Sequence, residues 1–264
     1  MSNIVIITDA SPVYAENNAQ PMVSWDNLLA RGTIASATLP ADAPRLNAVD
    51  ENTVDFWQPT GADTLRATFG ASEAADCAFF AAHTLSGRTV KVQYYNGSIW
   101  VDLATVVPAT NEPFLIVFPN RSATGWGVSV DGACIIGVAW IGPRIVIPGG
   151  VLPGYEPVWA AREIKKWGGG TRRGHWLGQR ADMVTAQLTP QFLQVPYDFS
   201  ATTLAAFRKR YNEGRAFVFA SAPSIFVDDC AYVWAEDGES LPSPISAGAV
   251  YTELSFNVTA YCEP

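Results

Sequence analysis

Histidine and charge are what this chain has least of. Two of its 264 residues are histidine, His83 and His175, and 16% are charged, against about 25% in an ordinary soluble domain. Two isolated histidines, with Cys77, Cys134, Cys230 and Cys262 forming no C-x-x-C, exclude the ligand spacing of a structural zinc site. His83 follows the apolar Ala78–Phe80 and reads as a hydrogen-bonded core residue at a strand end; His175 reads as a solvated or interface residue. The glycine run after Trp167 lacks the G-x-x-x-x-G-K-[ST] spacing of a phosphate loop, and no G-x-S-x-G is present. Nucleotide binding and a hydrolase elbow are therefore not expected, and no cofactor is called for. No run of 18 apolar residues occurs, so no membrane span is expected. The start, MSNIVIITDASP, has neither a basic n-region nor a long apolar one. Reduced cysteines in a protein made in a cytoplasm are expected from that, with a Cys230–Cys262 pairing left open.

What is present is apolar and aromatic: 48% hydrophobic residues, with nine Trp, nine Tyr and thirteen Phe. That composition fits either surface buried in partners or a compact all-β protein with aromatic cores. The net charge of −8 argues against nucleic acid as a partner for the whole surface. The charge is also uneven. Arg162, Lys165, Lys166, Arg172, Arg173 and Arg180 make 160–181 basic, whereas 228–264 carries Asp228, Asp229, Glu236, Asp237, Glu239, Glu253 and Glu263 without a Lys or Arg. Arg162, Lys165, Lys166, Arg172 and Arg173 on one side, and Asp228, Asp229, Glu236 and Asp237 on the other, are the candidate subunit-interface residues. In a head-to-tail ring, the basic patch of one copy meets the acidic patch of the next.

Strand signals dominate: Ile4–Ile7, Thr89–Tyr95, Phe114–Phe118, Trp126–Val130 and Ile135–Ile141 are β-branched or aromatic, between Gly, Pro, Asn and Asp. Val90–Leu103 reads as a hairpin turning tightly at Asn96-Gly97. The Pro/Gly cluster of 143–157 reads as a linker, dividing 1–145 from 146–264. Trp167–Gly174 reads as a mobile loop. One helix is expected over 200–213, capped by Ser200, with Leu204, Phe207 and Tyr211 on its inner face and Gly214 ending it. Asp228, Asp229 and Glu236 could serve as hydrolase carboxylates, but they lie too close in sequence on a turn to straddle a sugar at about 5–5.5 Å or more. A non-enzyme is expected.

A resemblance enters with the order of short motifs. Asp42-Ala43-Pro44 is followed by Trp57-Gln58-Pro59, Phe69-Gly70, Ala82-His83-Thr84-Leu85, Gly97-Ser98-Ile99-Trp100 and Gly125-Trp126-Gly127-Val128. Past the linker come the 200–214 helix, Phe217-Val218-Phe219-Ala220 and Asp229-Cys230-Ala231-Tyr232-Val233-Trp234. Over roughly 1–260 this resembles the tail-tip or distal-tail-type structural proteins of bacteriophages, whose first half is a discoidin-like, galactose-binding-fold jelly roll. The resemblance implies a mainly all-β chain: a jelly-roll sandwich over 1–145, then a tail-tube-like β-barrel domain over 146–264 with one helix. It also implies a virion protein assembled in the host cytoplasm. That protein would form a homo-oligomeric, hexameric ring contacting tube, hub and fibre proteins, with DNA at most passing through its channel. A host-surface glycan is the alternative partner; Trp25, Trp57 and Trp126 are the aromatic candidates for it, and each reads as core.

Overall fold

The computed structural model describes residues 3–8, 11–34, 44–170, 176–236, 238–241, 244 and 250–263, with backbone alone over 164–170 and 176–184. In chain order its strands are β1 (Ile4–Ile6), β2 (Met22–Ser24), β3 (Thr33–Ile34), β4 (Asp63–His83), β5 (Val90–Tyr95), β6 (Trp100–Val106), β7 (Phe114–Val130) and β8 (Ile136–Gly142). There follow β9 (Ile145–Val146), β10 (Arg162–Gly170), β11 (Trp176–Leu188), β12 (Gln191–Pro196), β13 (Phe217–Ala220), β14 (Cys230–Ala235), β15 (Tyr251–Ser255) and β16 (Val258–Tyr261). Three α-helices are described: α1 (Pro12–Asn18), α2 (Leu28–Arg31) and α3 (Ala205–Asn212). The chain is mainly β, as its composition and strand spacing indicate.

Two long strands, β4 and β7, build the sandwich by serving both of its layers. The first half of β4 pairs with the second half of β7, from Asp63↔Val130 to Thr68↔Gly125; after register shifts the pairing resumes from Cys77↔Val117 to Phe80↔Phe114. Such irregularities bend a ribbon and increase its twist. On one side of the bend β3, β5 and β6 extend the outer layer; on the other, β8 joins β4 and β1 runs parallel to β7. Between the layers lie Leu65, Val92, Trp126 and Val128 from the outer one and Phe80, Ile116, Phe118 and Ile141 from the inner one.

The inner layer is buried on its second face as well. With a side-chain period of two, Cys77, Phe79, Leu115, Val117, Val138 and Trp140 point away from the sandwich core. They pack against Val218, Ala220, Cys230 and Tyr232 of a second sheet. That double burial explains why Phe114–Phe118 and Ile136–Ile141 are unbroken apolar runs and do not alternate. The second sheet has the order β10-β11-β16-β14-β13-β2-β9. Its other face, Phe217, Phe219, Ala231 and Val233, meets Leu204, Phe207 and Tyr211 of the helical segment together with Phe192 and Phe256. The stack is therefore four layers deep. Met22–Ser24, far N-terminal of the expected break near 145, supplies a strand inside the second sheet. The two ends of that sheet do not pair, so the described residues form an open sheet and no closed barrel.

Three local expectations need correction. The β5–β6 connection spans four residues, with only Gly97 at positive φ; the Asn96 side chain instead accepts the Ser98 and Ile99 N–H groups at 3.0 and 2.9 Å. Ser200 does not cap the helix. It is buried inside a π-helical stretch, Phe199–Thr203, where its carbonyl accepts from Arg208 at 2.8 Å. Gly168–Gly170 belong to β10 rather than to a loop. Gly214, at φ +67°, does end α3.

A polar clamp completes the seam. Glu51, itself at φ 72°, receives the guanidinium groups of Arg210 (2.7 Å) and Arg215, and its carbonyl accepts the Tyr232 hydroxyl at 3.0 Å. Burial acts to raise the Glu51 carboxyl, but the two guanidiniums outweigh it and hold it below the usual carboxylate range.

Candidate functional site

The strongest candidate is a cleft of about 180 Å³ where the inner layer and the second sheet meet at their edge. The first half contributes Asn3 and Glu112; the second contributes Trp159, Arg162, Asp228 and Tyr261. The floor is held by the chain start. Asn3 donates its N–H to Val227 O (2.9 Å) and Asp228 Oδ1 (3.1 Å), while its carbonyl accepts from Leu115 N at 2.9 Å. One wall is ionic: Arg162 Nη2 lies 3.2 Å from both Glu112 oxygens and donates to Glu263 O at 3.1 Å. Beside it the Tyr261 hydroxyl donates to Glu263 Oε2 at 2.8 Å. Burial raises the Glu263 carboxyl, against the opposing pull of Tyr261 and Arg162.

The rim is Trp159, whose indole is 67% exposed. It stands on a turn in which Ala160 and Ala161 donate to Pro157 O at 2.9 and 3.0 Å. That turn is pinned from below by Asp229, whose Oδ1 accepts the Val158 N–H at 3.0 Å and the Tyr155 hydroxyl at 3.3 Å. The Tyr155 ring meets Phe219 edge-on at 6.0 Å. Asp229 is 1% exposed and burial raises its carboxyl. An exposed tryptophan on a pinned turn at the rim of a polar cleft is an arrangement that packing of the core does not require.

The described residues among those singled out from charge patterning lie apart from one another, save for two. Arg162 and Asp228 converge on this cleft, but Arg162 pairs with Glu112 of the same chain. Asp229 is buried and belongs to no solvent-facing acidic patch. Glu236 follows the far end of β14, roughly 20 Å from Asp229 at strand rise. Lys165 and Lys166 lie in β10, paired through backbone with Met183 and Ala181. Arg172, Arg173, His175 and Asp237 lie outside the described residues, as do Asp42 and Ala43 of the first resemblance motif.

The remaining candidates are structural. His83 is 1% exposed; its Nδ1 accepts the Leu85 N–H at 3.3 Å, its ring meets Phe114 edge-on at 5.2 Å, and burial pushes its pKa down to about 4. Trp57 and Trp126 are fully buried, and Trp25 is half-buried against the core between the second sheet and the helical segment. All four cysteines are free. Cys230 faces the seam with Tyr232, and Cys262 faces the helix-side core with Ala260, so the two stand on opposite faces of the second sheet and do not bridge. Sequence reading passed over Trp159. A tryptophan two residues after Pro157, in a turn-rich stretch, was the available signal.

Neither a protein-family model nor a curated protein matches the chain. Solved structures with a partial likeness include carbohydrate-binding modules and a putative alpha-L-fucosidase from Bacteroides thetaiotaomicron. Chitosan-binding module 1 of a chitosanase/glucanase from Paenibacillus sp. IK-5 shows 15% identity over 44% of this chain and 96% of its own, with a TM-score of 0.39. A pectin-binding module shows 12% identity over 42% and 91%, with a TM-score of 0.35. The family 32 module of C. perfringens NanJ, solved with galactose, shows 10% identity over 47% and 99%, with a TM-score of 0.39.

Proposed function

We propose that this chain is a non-catalytic carbohydrate-binding protein that seats a saccharide in the seam cleft. The observation that carries this reading is the exposed Trp159 at the rim of the cleft that Asn3, Arg162, Asp228 and Tyr261 line. A sugar ring has an apolar C–H face and a polar rim. The first stacks on an indole, the second exchanges hydrogen bonds with carboxylate, guanidinium and amide groups. A non-catalytic role agrees with the placement of the acids. Glu112 is engaged by Arg162, Glu263 by the Tyr261 hydroxyl, and Asp229 lies beneath the turn, which leaves Asp228 without a free second carboxyl to complete the acid and base pair of a glycosidase. A glycan array followed by titration calorimetry tests the reading. Trp159→Ala is expected to weaken the bound saccharide by about 2 kcal/mol, roughly 30-fold, with the melting temperature unchanged because the side chain is largely in solvent. Failure of the whole chain to bind any saccharide overturns it.

A second reading, a hexameric ring protein of a phage tail tip, is favoured by one feature. β11 pairs with β16 only over Thr185–Leu188, so the rest of β10 and β11 projects as a two-stranded ribbon with no third strand among the described residues. Such ribbons are marginal alone, and an open strand edge invites pairing. In a head-to-tail ring the ribbon lies on the neighbouring copy. Electron microscopy of the purified protein is expected to show rings with a central channel; a monomer at every concentration removes this reading.

A further inference from the structure

The charge of the cleft carries an inference about which saccharide it takes, and this inference rests on the carbohydrate reading. Among the lining residues Glu112 and Arg162 neutralise one another. Asp228 is left over. Asp228 is exposed; one of its oxygens accepts the Asn3 N–H at 3.1 Å, and among the described residues the other meets no hydrogen-bond donor and no cationic side chain at ion-pair distance. The Glu263 carboxylate adjoins the wall, bound by the Tyr261 hydroxyl. Among the described residues three acids therefore meet one base around a cavity whose rim is an exposed tryptophan, on a chain of net charge −8.

A neutral sugar gains little from a spare carboxylate, whereas an indole face and a carboxylate together are the two features that attract an ammonium group. We infer that the seam cleft binds a saccharide bearing a protonated amine, with Asp228 as the counter-ion and Trp159 as the platform. Asp228 sets specificity; Trp159 serves any sugar seated there. The negative field of the whole chain adds to the attraction at low salt and fades once the Debye length shrinks.

The test compares a glucosamine oligomer with its N-acetylated counterpart of equal length, titrated into the full chain at pH 6 and low salt. Asn at 228 keeps an oxygen for the Asn3 N–H, so Asp228→Asn is expected to fold. The amine form is expected to bind about tenfold more tightly than the acetylated form. That ratio should fall toward one in Asp228→Asn, and should shrink in about 0.5 M salt. Equal binding of the two oligomers, or tighter binding of the acetylated one, overturns the amine assignment and leaves the carbohydrate reading standing. A preference that survives in Asp228→Asn overturns the role of Asp228. Binding of neither oligomer overturns the assignment, and the array result then decides the broader reading.

Discussion

Asp76→Ala is expected to lower the unfolding free energy by about 3–5 kcal/mol, the usual cost of stripping the partner from a buried charge. Asp76 and Arg144 expose only 14% and 3% of their side chains. Arg144 donates its backbone N–H to Asp76 Oδ1 at 2.8 Å and its Nε to Oδ2 at 3.0 Å. Its Nη1 reaches Asn18 at 2.6 Å, and its guanidinium lies 5.6 Å from the centroid of the Tyr14 ring. This one side chain thereby ties helix α1 to the exit of β8. Burial raises the Asp76 carboxyl despite Arg144 beside it, which marks a pair whose desolvation is offset only while both members are present. A urea titration measures the loss. The double variant Asp76→Ala/Arg144→Leu should recover part of it, since no unpaired charge then remains. A single variant within 1 kcal/mol of the parent contradicts this account.

Phe79→Ala is expected to cost about 3–5 kcal/mol and to lower one common melting transition for the whole chain. Phe79 is fully buried at the seam and stacks on Tyr232 of the second sheet at 6.3 Å, with Trp140 edge-on to the same ring. The inner layer is shared: Phe80 and Ile116 serve the sandwich core, while Phe79 and Val117 serve the seam. Neither half buries its exposed face without the other, so calorimetry should give one cooperative transition in parent and variant alike. Two separable transitions, only one of them shifted, would show that the halves fold independently.

Much of the β architecture was legible in the residues, because strand burial writes itself into sequence. The runs Phe114–Phe118 and Ile135–Ile141 announced strands, and Leu204, Phe207 and Tyr211 announced the inner face of a helix that Gly214 ends. Local turn chemistry was less reliable. Asn96-Gly97 suggested a tight turn made by the backbone, yet Asn96 uses its side chain to organise a four-residue loop. Ser200 offered a cap and became a buried partner of Arg208. In both cases a short polar side chain had two hydrogen-bonding outcomes of similar local energy, and tertiary contacts chose between them.

Sequence alone determined that the chain is mainly β and that a helix carrying Leu204, Phe207 and Tyr211 on one face lies in the second half, since these follow from periodicity and composition, whereas the packing of the aromatics into the core came from the structure. Only the tertiary structure decided that Met22–Ser24 completes the second sheet, that Asp228 and Asp229 part company between cleft and interior, and that Trp159 stands open at the rim of the cleft that Arg162 lines. Those placements depend on pairing between residues separated by as many as 225 positions, as between Asn3 and Asp228. No local pattern encodes such a pairing; it is selected when whole layers exclude water together.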